Sequence, residues 1–148
     1  ISHDQRYLDK HPNNEEYTTP AIPWNNEEYT LELRYKLANT DREILYIRND
    51  TNTLTLRQEE YSFVFYLNDS KIAELATNKV LKKDHIVISY TRNETILAAN
   101  LDVTIAKLGN QLDNSILTIP DGIDINSVYQ LTYYPVAAND TEIRFLLN

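Results

Sequence analysis

The sequence contains no cysteine, no methionine and only two glycines, Gly109 and Gly122. The lack of cysteine excludes a disulfide scaffold, a thiol nucleophile and thiolate metal sites. Two isolated glycines cannot build the glycine-rich loops that bind phosphate groups in nucleotide-binding proteins. Because methionine is absent and the chain begins at Ile1, we expect either a domain excised from a longer protein or a processed fragment.

Basic residues are also scarce, since 14 lysines and arginines stand against 22 acidic residues, for a formal net charge of −8. The only basic doublet, Lys82-Lys83, is followed directly by Asp84. Nucleic-acid binding requires clustered basic side chains, so we expect no nucleic-acid partner. No apolar run approaches the roughly 18 residues of a membrane span, so we expect no membrane insertion. The length of 148 residues predicts a single domain with its own core.

The residues that are abundant favour β-strands. Val, Ile, Thr, Tyr, Phe and Trp together make up about a third of the chain, and these types suit half-buried pleated surfaces. Pairs such as Asn49-Asp50 and Asn68-Asp69 can form the turns in place of glycine, because asparagine tolerates a positive φ. Residues 1–28 are polar and contain three of the five prolines, which predicts an irregular N-terminal arm with at most one short strand, around Tyr7.

From Tyr29 onward, apolar and polar residues alternate with a period of two, which predicts strands with one face in the core. The predicted strands are Tyr29–Leu37, Ile44–Ile47, Thr53–Leu56, Ser62–Leu67, Lys71–Leu75, His85–Tyr90, Thr95–Asn100, Val103–Leu108, Ser115–Ile119, Val128–Tyr134 and Thr141–Leu147. Many short strands at this spacing indicate an all-β fold, an antiparallel two-sheet β-sandwich of the jelly-roll type.

A central segment resembles a known family. Residues Lys82–Tyr90, a polar turn and residues Thr95–Asp102 are similar to the central signature of concanavalin A-like (laminin G-like) lectin domains, and the resemblance covers residues 29 to about 135. It implies a concanavalin A-like jelly roll that binds carbohydrate. The chain also resembles carbohydrate-binding modules of tail proteins from bacteriophages of low-GC Gram-positive bacteria. That likeness implies an extracellular or virion-surface location, a bacterial glycan as partner and attachment to the rest of a parent protein.

Catalytic residues are not predicted. Glycosidases need two carboxylates at a fixed separation, and because positions i and i+2 of a strand share a face, the pattern sought is Glu-x-Asp or Glu-x-Asp-x-Glu. The chain has no Glu-x-Asp or Glu-x-Glu. Glu28 and Glu32 are too far apart along one strand, and Glu59-Glu60 would point in opposite directions, so we interpret these carboxylates as solvated. Acids that meet across strands would still allow an enzyme.

The histidines and a short acidic loop are the other candidates for chemistry. His3 and His11 lie in the predicted arm, where surface positions are expected, and the chain has no Gly-x-Ser-x-Gly nucleophile elbow. The loop Asp121–Asn126 resembles a calcium loop but lacks the EF-hand spacing, so a turn is the preferred interpretation. We expect no cofactor, while calcium binding stays open.

Aromatic side chains outside the apolar phase of the strands are the candidate carbohydrate-binding residues. Saccharides stack on flat aromatic rings, and amide or imidazole groups bind their hydroxyls. Trp24, in a polar loop, either plugs the sandwich or offers a stacking surface. Tyr66 with the neighbouring Asn68, and Tyr134 near a sheet edge, are candidate contacts. His85 begins a strand and points outward by periodicity, in either a structural or a ligand-binding role.

We therefore predict a non-catalytic carbohydrate-binding module that serves adhesion to a bacterial cell-wall or surface glycan, with phage host recognition as one context. Two alternatives remain open. One is a structural or protein-interaction sandwich without a sugar site, in which the candidate aromatics are buried or scattered. The other is a glycan-cleaving enzyme, which requires two carboxylates that meet across strands.

Overall fold

The computed structural model describes residues 5–6, 17–18, 28–120 and 127–147. These residues form β1 (Gln5–Arg6), β2 (Tyr17–Thr18), β3 (Glu28–Lys36), β4 (Arg42–Arg48), β5 (Thr53–Glu59), β6 (Ser62–Leu67), β7 (Ser70–Ala76), β8 (Lys83–Thr91), β9 (Thr95–Ala99), β10 (Asp102–Ala106), β11 (Ile116–Ile119), β12 (Val128–Tyr134) and α1 (Asp140–Leu147). The predicted Trp24, His3, His11 and the loop Asp121–Asn126 lie outside the described residues.

The strands form two sheets of six strands each. Sheet 1 has the order β1-β12-β3-β8-β9-β10, and sheet 2 has the order β2-β11-β4-β5-β6-β7. Neighbouring strands run antiparallel throughout. The apolar faces of both sheets meet in one buried cluster. The all-β two-sheet antiparallel sandwich predicted from the alternation is therefore confirmed.

Tyrosines in the apolar phase of their strands fill much of this core, as the alternation predicts. Tyr29 and Tyr90 stack with ring centroids 5.2 Å apart. Tyr35 of sheet 1 meets Phe63 of sheet 2 edge-on at 5.8 Å. These rings are fully buried, and each such burial stabilises the fold by about 1.5–3 kcal/mol.

Asparagine forms turns in this chain in the way that the scarcity of glycine predicts. Asn68, Asn100 and Asn114 all adopt a φ near +55°, a conformation that asparagine tolerates better than most residues. Asn49 caps its own turn, because its Oδ1 accepts hydrogen bonds from the amides of Thr51 at 3.0 Å and Asn52 at 2.8 Å. The hairpins therefore close without glycine.

The prediction of a strand at Thr141–Leu147 is wrong, because this segment forms the helix α1. Asn139 Oδ1 accepts the amide of Glu142 at 2.9 Å, and Glu142 Oε1 accepts the amide of Asn139 at 3.2 Å. This reciprocal pair is a capping box, which satisfies backbone donors at a helix start. Within the described residues, no helix is long and apolar enough to span a bilayer.

Helix α1 covers part of the outer face of sheet 1. Ile143 is fully buried and packs with Ala138 against Val87, Ile96 and Ala98, which point away from the main core. Two hydrogen bonds also fix the segment before the helix to the sheet. The Ala138 amide donates to the Thr30 hydroxyl at 2.7 Å, and the Ser89 hydroxyl donates to the Ala138 carbonyl at 2.6 Å. Sheet 1 is therefore packed on both of its faces.

Replacing the helix cap is expected to cost stability. Asn139→Ala removes the acceptor for the Glu142 amide and should lower the free energy of unfolding by about 1 kcal/mol. Urea denaturation followed by circular dichroism measures this. Asn139→Asp keeps an acceptor and should stay close to the unmodified protein, and Asn93→Ala, in an exposed turn, is the matched control. Equal stability of all three variants would contradict the capping role.

Candidate functional site

The structure places the predicted site residues on opposite faces of the sandwich. Tyr66 and Asn68 lie on the outer face of sheet 2 and line one groove. His85 and Tyr134 lie on the outer face of sheet 1, where each is only 7% exposed. The four residues therefore do not form one site, and the predicted role of Trp24 stays a prediction, since it lies outside the described residues.

The groove on sheet 2 is shallow and polar. It has a volume of about 260 Å³ and is lined by Glu43, Thr55, Arg57, Tyr66, Asn68 and Asp69. Tyr66 is half-buried in it, while Asn68 and Asp69 are exposed at one end. The groove combines one aromatic ring with hydroxyl, amide, guanidinium and carboxylate groups within a small area of sheet surface.

The groove follows from the alternation of β4, β5 and β6. Thr55 pairs with Tyr66 across the strands, while the next pair, Leu56 with Phe65, points into the core. A bulge in β4 between Glu43 and Leu45 interrupts its register with β5. Glu43 itself lies directly opposite Arg57 in this pairing, so its carboxylate reaches the guanidinium of Arg57 at 3.1 Å.

The side chains of the groove hold one another in place. The Tyr66 hydroxyl donates a hydrogen bond to Glu59 Oε2 at 2.6 Å. Arg57 binds Glu43 at 3.1 Å and also lies 3.8 Å from Glu59 Oε2. The hydrogen bond to Glu59, together with the charge of that carboxylate, raises the pKa of Tyr66. The ring is thus fixed and its hydroxyl stays protonated at neutral pH.

Asn68 contributes mainly to the shape of the groove. Its Oδ1 accepts the amide of Thr53 at 3.0 Å, and its Nδ2 donates to Asn52 Oδ1 at 3.1 Å. Together with its positive φ, these bonds fix the end of the β6–β7 hairpin against the start of β5. Asn68 therefore positions the hairpin that carries Tyr66.

His85 and Tyr134 meet at a single carboxylate, that of Glu32, which is buried, so the interpretation of Glu32 as solvated is wrong. His85 Nε2 lies 2.5 Å from Glu32 Oε2, and the Tyr134 hydroxyl donates to Glu32 Oε1 at 2.8 Å. Burial acts to raise the pKa of Glu32, but the hydrogen bonds from His85 and Tyr134 outweigh it and hold that pKa below its ordinary value. Both residues point away from the main core, as their periodicity predicts. The network supports the structural interpretation of His85.

Several residues of the groove were not singled out by the sequence pattern. Arg57 and Glu59 belong to β5, which runs to Glu59 and not to the predicted end at Leu56. The polar run from Arg57 to Glu60 conceals that Gln58 is buried and bonded to Tyr35 and Ala38. Continuing the period of two past Leu56 would have placed Arg57 and Glu59 on the face of Tyr66.

Metal binding finds no support in the described part of the chain. Residues 28–120 and 127–147 contain no group of three or more His, Asp and Glu side chains that could hold a metal ion. The calcium-loop candidate at Asp121–Asn126 lies outside the described residues, so calcium stays open.

A second buried carboxylate, Asp84, lies at the start of β8. Its Oδ1 accepts the Asn78 amide at 2.6 Å and Asn100 Nδ2 at 2.8 Å. Its Oδ2 is buried and has no hydrogen-bond partner among the described residues. Burial raises the pKa of Asp84, and the two hydrogen bonds only partly oppose this.

We expect Asp84→Asn to remove a pH dependence of stability. With a raised pKa in the folded state, Asp84 contributes stability that is fully present below its ordinary pKa of 3.8 and is lost as the pH rises through the folded pKa. Asparagine keeps the acceptor oxygen but does not titrate. Urea denaturation from about pH 3 to about pH 7 should show that the free energy of unfolding of the variant, relative to that of the unmodified protein, increases as the pH rises. Asp50→Asn, in an exposed turn, should show no such gain; an Asp84 curve parallel to the unmodified one would contradict the assignment.

Comparisons with known proteins support the fold. No protein-family profile and no curated protein sequence matches this chain. Among solved structures, it is similar to the binding domain of botulinum neurotoxin DC in a complex with rat synaptotagmin II, with a TM-score of 0.61 and 9% identity over 99% of this chain and 46% of that one.

Two further structures share the fold. The same neurotoxin domain in a complex with SialylT has a TM-score of 0.58 and 11% identity over 99% of this chain and 45% of that one. A Trypanosoma rangeli sialidase has a TM-score of 0.58 and 18% identity over 82% of this chain and 22% of that one. The chain thus spans less than half the length of these structures and has the β-sandwich architecture that they contain.

Proposed function

We propose that this domain binds a carbohydrate without cleaving it, and that the ligand lies in the groove on the outer face of sheet 2. The observation that carries the proposal is the fixed ring of Tyr66 beside hydroxyl, guanidinium and carboxylate groups in an open space of about 260 Å³. A pyranose ring has an apolar face for the tyrosine and hydroxyls that need both donors and acceptors. Small-ligand sites combine an apolar surface with a few polar groups in this way.

The arrangement favours binding over hydrolysis. Glycosidases require one carboxyl group to deliver a proton and a second carboxylate to attack or to activate water. At this groove, Glu43 contacts Arg57, and Glu59 accepts the Tyr66 hydroxyl. Both carboxylates are therefore engaged in holding other side chains. An open, shallow site of this kind is expected to bind with a Kd between about 1 mM and about 1 μM.

The biological context is part of the same proposal. We infer a glycan of a bacterial cell wall or surface as the partner, with adhesion, including phage host recognition, as the role. An extracellular or virion-surface location and attachment to the rest of a parent protein follow from that role. Structures with this fold include a neurotoxin binding domain in a complex with SialylT, which supports the use of the fold for glycan binding at the general level.

A glycan array combined with a fluorescent fusion protein tests the proposal. We expect binding to at least one glycan class and labelling of a bacterial surface, without release of reducing ends from purified cell walls. A blank array together with unlabelled cells would overturn glycan binding. Reducing ends released by the purified domain would overturn the non-catalytic assignment.

One observation favours a second candidate, a structural or protein-interaction domain. Tyr66 and Tyr134 do not converge, and Phe145 on α1 is 81% exposed beside a mainly apolar cavity of about 280 Å³. A protein partner could bind such a surface. Light scattering that shows a stable oligomer, with no change in tryptophan fluorescence on adding sugars, would favour this candidate.

A further inference from the structure

We infer that the groove of Tyr66 selects saccharides that carry no acidic group, so that neutral or amine-bearing sugars bind and sialylated, uronic or sulfated sugars are disfavoured. This inference rests on the proposed function, because it concerns the ligand class of the same groove. It is carried by the charges at the groove and by the contacts that already occupy its cation.

Carboxylates outnumber cations at the groove. Glu43, Arg57 and Asp69 line it, and Glu59 joins them through its contacts with Tyr66 and Arg57. One guanidinium thus stands among three carboxylates. The chain as a whole has a formal charge of −8, so the long-range field also opposes an anionic ligand. Like charges brought together at a binding surface weaken association.

The guanidinium of Arg57 is already engaged. Recognition of a carboxylate or sulfate usually relies on paired N–H donors of arginine. In this groove, Arg57 Nη1 binds Glu43 at 3.1 Å and Nε lies 3.8 Å from Glu59. An acidic sugar that bound Arg57 through Nη1 would have to displace the Glu43 carboxylate, and the displaced charge would remain beside the ligand.

The flanking cations of sheet 2 do not change this balance. Lys71, which pairs with Tyr66 across the strands, forms an ion pair with Glu74 at 3.1 Å. Arg48 lies over the ring of Tyr46 at 5.5 Å, on the strand that begins beside Glu43. The acceptor-rich groove instead suits sugar hydroxyls and ammonium groups, both of which donate hydrogen bonds.

A glycan array of matched pairs, each a neutral oligosaccharide beside its sialylated derivative, tests the inference, with calorimetry on the pair that contains the best binder. We expect the acidic member to bind about fivefold more weakly. This gap in affinity between the two members should be smaller at high salt, since salt screens exposed charges. Glu43→Gln should narrow the gap because it frees Arg57. Glu94→Gln makes the same change of net charge at an exposed turn on the other sheet and should leave the gap unchanged.

The outcomes separate this inference from the proposed function. An acidic member that binds as well as its neutral parent, or better, overturns the charge selection and leaves glycan binding intact. A gap that Glu94→Gln narrows as much as Glu43→Gln does would assign the effect to net charge and overturn the role of the groove. An array with no binder at all overturns the proposed function itself. Thermal melts of both variants establish that they are folded.

Discussion

Glu32→Ala is expected to lower the free energy of unfolding by about 3–5 kcal/mol, because it removes one partner of a buried, charged network. His85 and the Tyr134 hydroxyl both bind this carboxylate, and all three residues are buried. The alanine variant leaves two buried polar groups without their acceptor, and each such group costs about 1–3 kcal/mol. Urea denaturation at neutral pH measures the loss.

Two further variants serve as comparisons for Glu32→Ala. Glu94→Ala replaces an exposed glutamate and should change stability by at most about 0.5 kcal/mol. Tyr134→Phe removes the hydroxyl that donates to Glu32 and should cost about 1 kcal/mol. If Glu32→Ala costs no more than Glu94→Ala, the network does not stabilise sheet 1.

The same carboxylate predicts a dependence on pH with the sign opposite to that of Asp84. The pKa of Glu32 is lowered in the folded state, so its contribution is present above the ordinary value of 4.5 and is lost as the pH falls through the folded pKa. The loss in free energy of unfolding that Glu32→Gln causes, relative to the unmodified protein, should therefore be smaller in acid than at neutral pH. The opposite signs for Glu32 and Asp84 allow the two groups to be separated by single variants.

The second large effect concerns ligand binding. Tyr66→Ala should weaken the best array binder by about tenfold or more, since aromatic anchors carry much of the energy of small interfaces. The change removes the ring and also the hydroxyl that binds Glu59 at 2.6 Å. Isothermal titration calorimetry measures the loss. Tyr66→Phe keeps the ring and should retain most of the affinity.

Tyr61→Ala is the matched control for this variant. Tyr61 is 59% exposed and begins the hairpin that carries Tyr66, but it lines a different cavity. We expect its removal to leave the affinity unchanged. Equal losses in Tyr61→Ala and Tyr66→Ala would indicate a general effect on the hairpin, and an unchanged Tyr66→Ala would contradict the placement of the ligand.

The strands could be predicted because alternation directly records which face of a sheet is buried. In β3, the period of two identifies Tyr29, Leu31, Leu33 and Tyr35 as the core face, and all four are buried. The predicted strand ends at Leu56, whereas β5 continues to Glu59, because the polar residue Gln58 occupies a core position. Its amide is satisfied by Tyr35 and Ala38, a long-range arrangement that no local pattern reveals.

The helix α1 was missed because Ile143, Phe145 and Leu147 alternate with other residues as they would in a strand. The capping box of Asn139 and Glu142 was the local signal that could have identified it. The difference between strand and helix bears on the candidate site, because α1 covers part of the outer face of sheet 1, on which His85 and Tyr134 lie. The burial of His85 and Tyr134 depends on packing between distant segments, and the sequence pattern alone assigned them only to the outer face.

The most direct test of the central claim is an NMR titration of the labelled domain with the best neutral binder from the array. Chemical-shift changes should be concentrated in β4, β5 and β6 and in the turn after Asn68, around the ring of Tyr66. The account predicts saturable changes there with a Kd in the millimolar to micromolar range. Changes concentrated on α1 and β12, or no changes at saturating sugar, would contradict it.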